Sequence, residues 1–244
     1  FKMENMALQH NEVIIKEEKK KKERVPSAII AIGQGEGIKD LYHSLGADIV
    51  LDGGKTMNAS TEEIIDAAKY ANAEDVILLP NESNILLAAK QAQNLYKKCR
   101  IHVVETKNLV EGYIALSMLV DKNDVQGTID AFNEAIKSLD YGFVALSNRD
   151  IEIEGETVPS HTYIGGINKE ILASGLTAEM TLDSLLSYVK GLENKSALLL
   201  IRGKATKEEN ANQLLEALKN KYPDLEIGLL SGEQEVYDYL VGIY

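Results

Sequence analysis

Four short apolar runs, over 27–32, 48–51, 76–79 and 101–104, alternate with stretches of helical periodicity, and this alternation restricts the chain more than any other feature. Runs so short and so continuously apolar are buried on both faces, which requires parallel strands with a covering helix between each pair. The helical stretches cover 38–45, 60–70, 83–96, 110–120 and 125–139. Together they predict an α/β fold, a doubly wound parallel sheet over about residues 26–138. Ser60, with Glu63 three positions later, predicts a capping box at the start of the second helix.

From Tyr141 the pattern changes. Residues 143–146 and 151–154 flank Ser147-Asn148-Arg149-Asp150, which predicts an antiparallel hairpin. Further strands are expected at 163–167, 197–201, 226–230 and 237–243, with helices at 182–190 and 207–219, giving a mixed α+β subdomain over 139–244. Residues 1–25 end in a charged run from Lys16 to Arg24 without apolar periodicity and read as the tail of a preceding domain and a solvated linker. The chain opens Phe1-Lys2-Met3, so a further upstream region is expected.

Composition excludes several classes. At 244 residues, 45% hydrophobic and 26% charged, the chain is long enough for one or two cores without staples. A net charge of −12 argues against a nucleic-acid partner, since phosphate binding needs clustered cations. The single Cys99 excludes an intrachain disulfide framework. No apolar run approaches the roughly 18–20 residues of a membrane span, and no signal-peptide core is evident, so a cytoplasmic protein is expected.

Three segments carry candidate chemistry. Gly33-Gln34-Gly35-Glu36-Gly37 joins the first strand to the first helix, where backbone N–H groups can hold an anion. It lacks both the dinucleotide and the P-loop spacing, and Glu36 adds negative charge, so a tight turn without ligand is the preferred reading. The loop from Asp52 to Thr61 brings Thr56, Asn58 and Ser60 to the carboxyl end of the second strand, where α/β ligands bind, although a Gly-rich turn with an N-cap explains it equally. Pro80-Asn81-Glu82-Ser83-Asn84 repeats the arrangement after the third strand, with Asn81 and Ser83 also ordinary capping residues. His10, His43, His102 and His161 lack metal-ligand spacing, and the pairs Glu62-Glu63 and Glu208-Glu209 suit helix first turns.

The stretches Gly35 to Leu41, Ser44 to Asp48, Gly53 to Glu62 and Ile77 to Ile85 together resemble the C-terminal region of dihydroxyacetone-kinase-like proteins, and more closely the large subunit of bacterial fatty acid kinase. Met6 to His10 resembles the tail of that family's middle domain, and Ser231-Gly232-Glu233-Gln234 with residues 237–244 its C-terminus. The resemblance implies a DegV-like fold of two subdomains. It implies an upstream helical domain that binds ATP and magnesium, with no cofactor in this segment. It also implies a separate fatty-acid-binding partner subunit whose acyl carboxylate is phosphorylated, and it is compatible with a homodimer.

By analogy with DegV-like lipid binders, Thr56, Asn58, Ser60, Asn81, Ser83 and Asn84 occupy the positions that would grip a carboxylate. Glu82 among them sets a like charge there. The expected role is therefore a non-catalytic docking and scaffold domain of a fatty acid kinase large subunit, with a fatty-acid or small-molecule binding domain as the alternative.

Overall fold

The computed structural model describes residues 23–54, 57–153 and 155–244. The expected linker lies outside them, apart from its last residues. The chain forms β1 (Val25–Gly33), α1 (Glu36–Ser44), β2 (Ile49–Asp52), α2 (Thr61–Ala71), β3 (Ala73–Leu79), α3 (Leu86–Leu95), β4 (Arg100–Val103), α4 (Leu109–Ser117) and α5 (Val125–Lys137). Next come β5 (Asp140–Leu146), β6 (Ile151–Ile153), β7 (Glu156–Val158), β8 (Tyr163–Ile167), β9 (Glu170–Gly175) and α6 (Ala178–Ser187). A short 3-10 turn (Leu192–Asn194), β10 (Ala197–Arg202), α7 (Glu208–Lys221), β11 (Glu226–Ser231) and β12 (Tyr239–Ile243) complete it.

The first sheet has the order β2-β1-β3-β4, with every pair parallel. Because β2 lies to one side of β1 and β3 to the other, right-handed crossovers place α1 and α2 on opposite faces. Both faces are thus covered, and Ile29, Ile30, Ile32, Ile77, Leu78 and Leu79 are fully enclosed. The capping box is present: Ser60 Oγ accepts from the Glu63 N–H at 3.2 Å, and the Ser60 N–H donates to Glu63 Oε2 at 2.8 Å.

The second sheet has the order β11-β10-β12-β5-β8-β9, and only β10 and β11 are parallel. Its strands alternate between two cores. Leu198, Leu200 and Val241 pack with α6 and α7, whereas Leu199, Ile201 and Leu240 join the core of the first sheet. Burial on both faces explains the uninterrupted Ala-Leu-Leu-Leu-Ile run of β10.

Two expectations are corrected. β5 does not form a hairpin with β6: it pairs with β12 and β8 in the middle of the sheet, because its apolar residues need neighbours on both edges. β6 instead pairs with β7 around Gly155 at φ +85°, as a separate two-stranded ribbon. The third helix starts at Leu86 rather than Ser83, with Ile85 at the N-cap position, so neither Asn81 nor Ser83 caps it.

Candidate functional site

In a doubly wound sheet, ligands bind beyond the carboxyl ends of the strands at the point where strand order reverses. Here that point lies between β1 and β3, and the adjoining face of the second sheet closes it into a crevice of about 580 Å³. Tyr141, Phe143 and Tyr237 form an aromatic floor, with ring centroids 6.5 Å apart for Tyr141 and Phe143 and 5.5 Å for Phe143 and Tyr237. Glu82, Ser83, Lys107, Asn108 and Lys169 supply its polar lining.

Asn81 holds this region together. It adopts a left-handed conformation at φ +57° two residues after the end of β3, and its side chain is buried. Its N–H donates to Thr106 Oγ1 at 3.0 Å, and its Nδ2 donates to the Ile32 carbonyl at 2.9 Å and to the Tyr42 hydroxyl at 3.3 Å. Tyr42 in turn donates to the Leu109 carbonyl at 2.7 Å. One amide therefore ties the ends of β1, α1 and α4 to the crevice. Asn81 Oδ1 and Gln34 Nε2 are buried without a hydrogen-bond partner.

The electrostatics are mixed. Burial pushes the Glu82 and Glu111 carboxyls above the ordinary glutamate range, against hydrogen bonds from backbone N–H groups and the charge of Lys169. Glu111 Oε2 accepts from the Lys107 N–H at 2.6 Å, and Asn108 Oδ1 accepts from the Glu111 N–H at 2.8 Å as the cap of α4. Burial likewise raises the Tyr141 hydroxyl well above the usual tyrosine range.

Of the residues singled out from the sequence, Asn81 and Ser83 line the crevice. Asn58, Ser60 and Asn84 are exposed outside its lining, with Ser60 engaged in the capping box. Thr56 lies outside the described residues. Gly35 and Gly37 are pressed against the chain before β12: the Ile38 N–H donates to the Gly232 carbonyl at 2.9 Å, and a Cβ at either would collide with the backbone of Ser231 to Gln234, whereas Gly33, the last residue of β1, packs against the side chains of Ile38, Tyr42 and Val50. Close backbone approach thus accounts for Gly35 and Gly37 without a ligand.

Sequence reading missed Met57, Lys107, Tyr141, Phe143, Lys169 and Tyr237 as lining residues. Each is an ordinary strand or loop residue, and only the docking of one sheet on the other brings them together. Among the described residues, no group of three or more His, Cys, Asp or Glu side chains is placed to hold a metal ion. None of their helices is long and apolar enough to cross a membrane.

A family model for the C-terminal region of FakA-like fatty acid kinase proteins matches residues 28–243. The chain belongs to this family. It is 34% identical over 246 residues to protein YloV of Bacillus subtilis, covering 99% of this chain and 44% of that protein. It is 31% identical to an uncharacterised Staphylococcus aureus protein, covering 100% of this chain and 44% of the relative. The chain thus spans less than half the length of the curated relatives it matches.

Among solved structures, the fold is that of the DegV family. DegV of Bacillus subtilis, a fatty acid binding protein, superimposes with a TM-score of 0.60 at 12% identity, covering 90% of this chain and 99% of that one. The Streptococcus pneumoniae fatty acid kinase B3 protein loaded with linoleic acid gives a TM-score of 0.57 at 12% identity, covering 90% and 99%.

Proposed function

We propose that this chain is a docking and scaffold domain of a FakA-like fatty acid kinase protein. In this reading it engages a fatty-acid-binding partner subunit, while an ATP- and magnesium-binding domain elsewhere in the parent phosphorylates the acyl carboxylate. The parent acts in the cytoplasm. The observation that carries the reading is the state of the crevice's polar end. The Asn81 amide, a donor that a carboxylate would need, is already bonded to Ile32 O and Tyr42 OH, and Glu82 stands beside it as a like charge. A fold shared with fatty-acid carriers but arranged in this way suits recognition of a carrier better than carriage itself.

Tethering such a domain to a kinase raises the effective concentration of the substrate carrier to the order of millimolar, provided the linker reaches. The test mixes the chain with ATP, magnesium and an acyl-loaded partner subunit. Binding with no acyl phosphate above background is the expected result, and phosphoryl transfer or an absence of binding at about 100 μM, above the micromolar range of a specific complex, overturns the reading.

A second reading, fatty-acid binding by this chain, is favoured by the aromatic floor of the crevice, since Tyr141, Phe143 and Tyr237 offer an apolar wall to an acyl chain. Native mass spectrometry separates the two, because a co-purified fatty acid lost on Phe143→Ala would support the second.

A further inference from the structure

Three features of the crevice lining point to one kind of occupant. The first is its apolar extent. Leu109, Ile171, Val236 and Leu240 line the crevice together with the aromatic floor, and Val236 is 51% exposed there. Apolar surface left open to water inside a concave site suits an apolar ligand.

The second feature is charge balance. Among the described residues, Lys107 and Lys169 are the cations of the lining. The charge of Lys169 acts on Glu82 in the lining and on Glu111 beside it, and that of Lys107 acts on Glu111. Two ammonium groups thus already answer two carboxylates. A ligand carboxylate would set three anions against two cations, next to a Glu82 whose charged form burial already disfavours. A cationic head would upset the balance in the other direction. An uncharged head leaves it intact.

The third feature is Gln34. It directly follows β1, lines the crevice and is only 6% exposed. Its Nε2 has no hydrogen-bond partner among the described residues. The other unpartnered amide atom at the crevice, Asn81 Oδ1, lies against Gly112 of α4. A buried donor without an acceptor works against folding. An oxygen atom on a crevice ligand would supply the missing acceptor.

We propose that the crevice binds a single-chain lipid with an uncharged hydroxyl-bearing head, a monoacylglycerol or a fatty alcohol, with its acyl chain on the Tyr141–Phe143–Tyr237 floor and a head oxygen accepting from Gln34 Nε2. The site does not depend on the docking reading. It differs from fatty-acid carriage in the charge of the head.

The experiment titrates the 244-residue chain by calorimetry with three lipids of one acyl length, 1-monolaurin, 1-dodecanol and laurate, each below its micelle-forming concentration at neutral pH. Monolaurin and dodecanol are expected to bind, the tighter of the two showing whether the head is a diol or a single hydroxyl. Laurate should bind at least about tenfold more weakly, because its charge enters beside a like charge. Gln34→Leu is expected to weaken the neutral lipids about three- to tenfold, the range of one neutral hydrogen bond. The same variant should melt no lower than wild type, since the unpartnered donor is gone. Glu82→Gln is expected to strengthen laurate binding severalfold and so to narrow the preference, which keeps the test decisive if Gln34→Leu does not fold. Laurate bound as tightly as the neutral lipids overturns the inference and gives the crevice to a fatty acid. Neutral-lipid binding that a folded Gln34→Leu leaves unchanged overturns it by placing the head elsewhere. Wild-type chain that binds none of the three overturns it and leaves the docking reading untouched.

Discussion

The side chain of Asn81 lies directly against Gly112 of α4, so that a Cβ at position 112 would occupy the space of the Asn81 amide. The two residues are 31 positions apart in sequence, and their contact lets α4 approach the end of β3 closely enough for Tyr42 to reach the Leu109 carbonyl at 2.7 Å. Gly112→Ala is therefore expected to displace the amide from the Ile32 carbonyl and to destabilise the chain by about 1–3 kcal/mol, the usual range for overpacking. At this chain length that corresponds to roughly 2–4 °C of melting temperature per kcal/mol. A double-mutant cycle checks the cause: in an Asn81→Gly background the same Gly112→Ala change should be nearly neutral, and full additivity would refute the contact.

Asp75 in β3 accepts from Arg100 Nε at 2.7 Å and lies 2.7 Å from His102 Nε2, both on β4. The Arg100 guanidinium, more than any other group, holds the Asp75 carboxyl below the ordinary aspartate range. A depressed folded-state pKa adds stability that is present above the unfolded value near 3.8 and is lost as pH falls through the folded value. Asp75→Asn should cost about 1 kcal/mol at pH 7, limited by water around the largely exposed Arg100. The gap to wild type should close in strong acid, and a gap of constant size across that titration would reject the assignment.

Glu82 works in the opposite sense. Burial raises its carboxyl above 4.5, so the folded state holds the proton more tightly than the unfolded chain, and stability declines as pH rises from the ordinary glutamate range through the raised value. Glu82→Gln keeps an acceptor for the Ser83 N–H, now at 3.0 Å, while removing the charge. Thermal melts should show the variant gaining on wild type as pH rises from about 4 to 7, across the carboxylate range. An unchanged pH profile would remove the buried-charge argument at the crevice.

Ser60→Ala removes one half of the capping box of α2 and should cost about 1 kcal/mol. Because the hydroxyl is exposed outside the crevice lining, partner binding is expected to stay within twofold of wild type. A binding defect larger than the stability defect would return Ser60 to the functional site.

The parallel half of the molecule was legible because its determinants are local. Apolar runs of strand length, helical periodicity and the Ser60–Glu63 spacing all act within a few residues, and the structure contains each of them. The likeness to fatty acid kinase large subunits was carried by contiguous stretches of the same kind. The pairing of β5 was different. Residues 143–146 read equally as one arm of a hairpin or as a central strand, and only β12, nearly a hundred residues later, decides between them by occupying its edge.

The crevice was legible only in part for the same physical reason. The polar loop after β3 announced Asn81 and Ser83, since strand ends in α/β folds are recognisable from sequence. Tyr141, Phe143 and Tyr237 became a floor only when the second sheet packed its inner face on the first core. That packing is set by the summed burial of residues far apart in the chain, such as Leu199, Ile201 and Leu240. Sequence by itself determined the elements of the parallel half and the family. The tertiary structure decided which strand faces meet, and with them the shape and charge of the crevice.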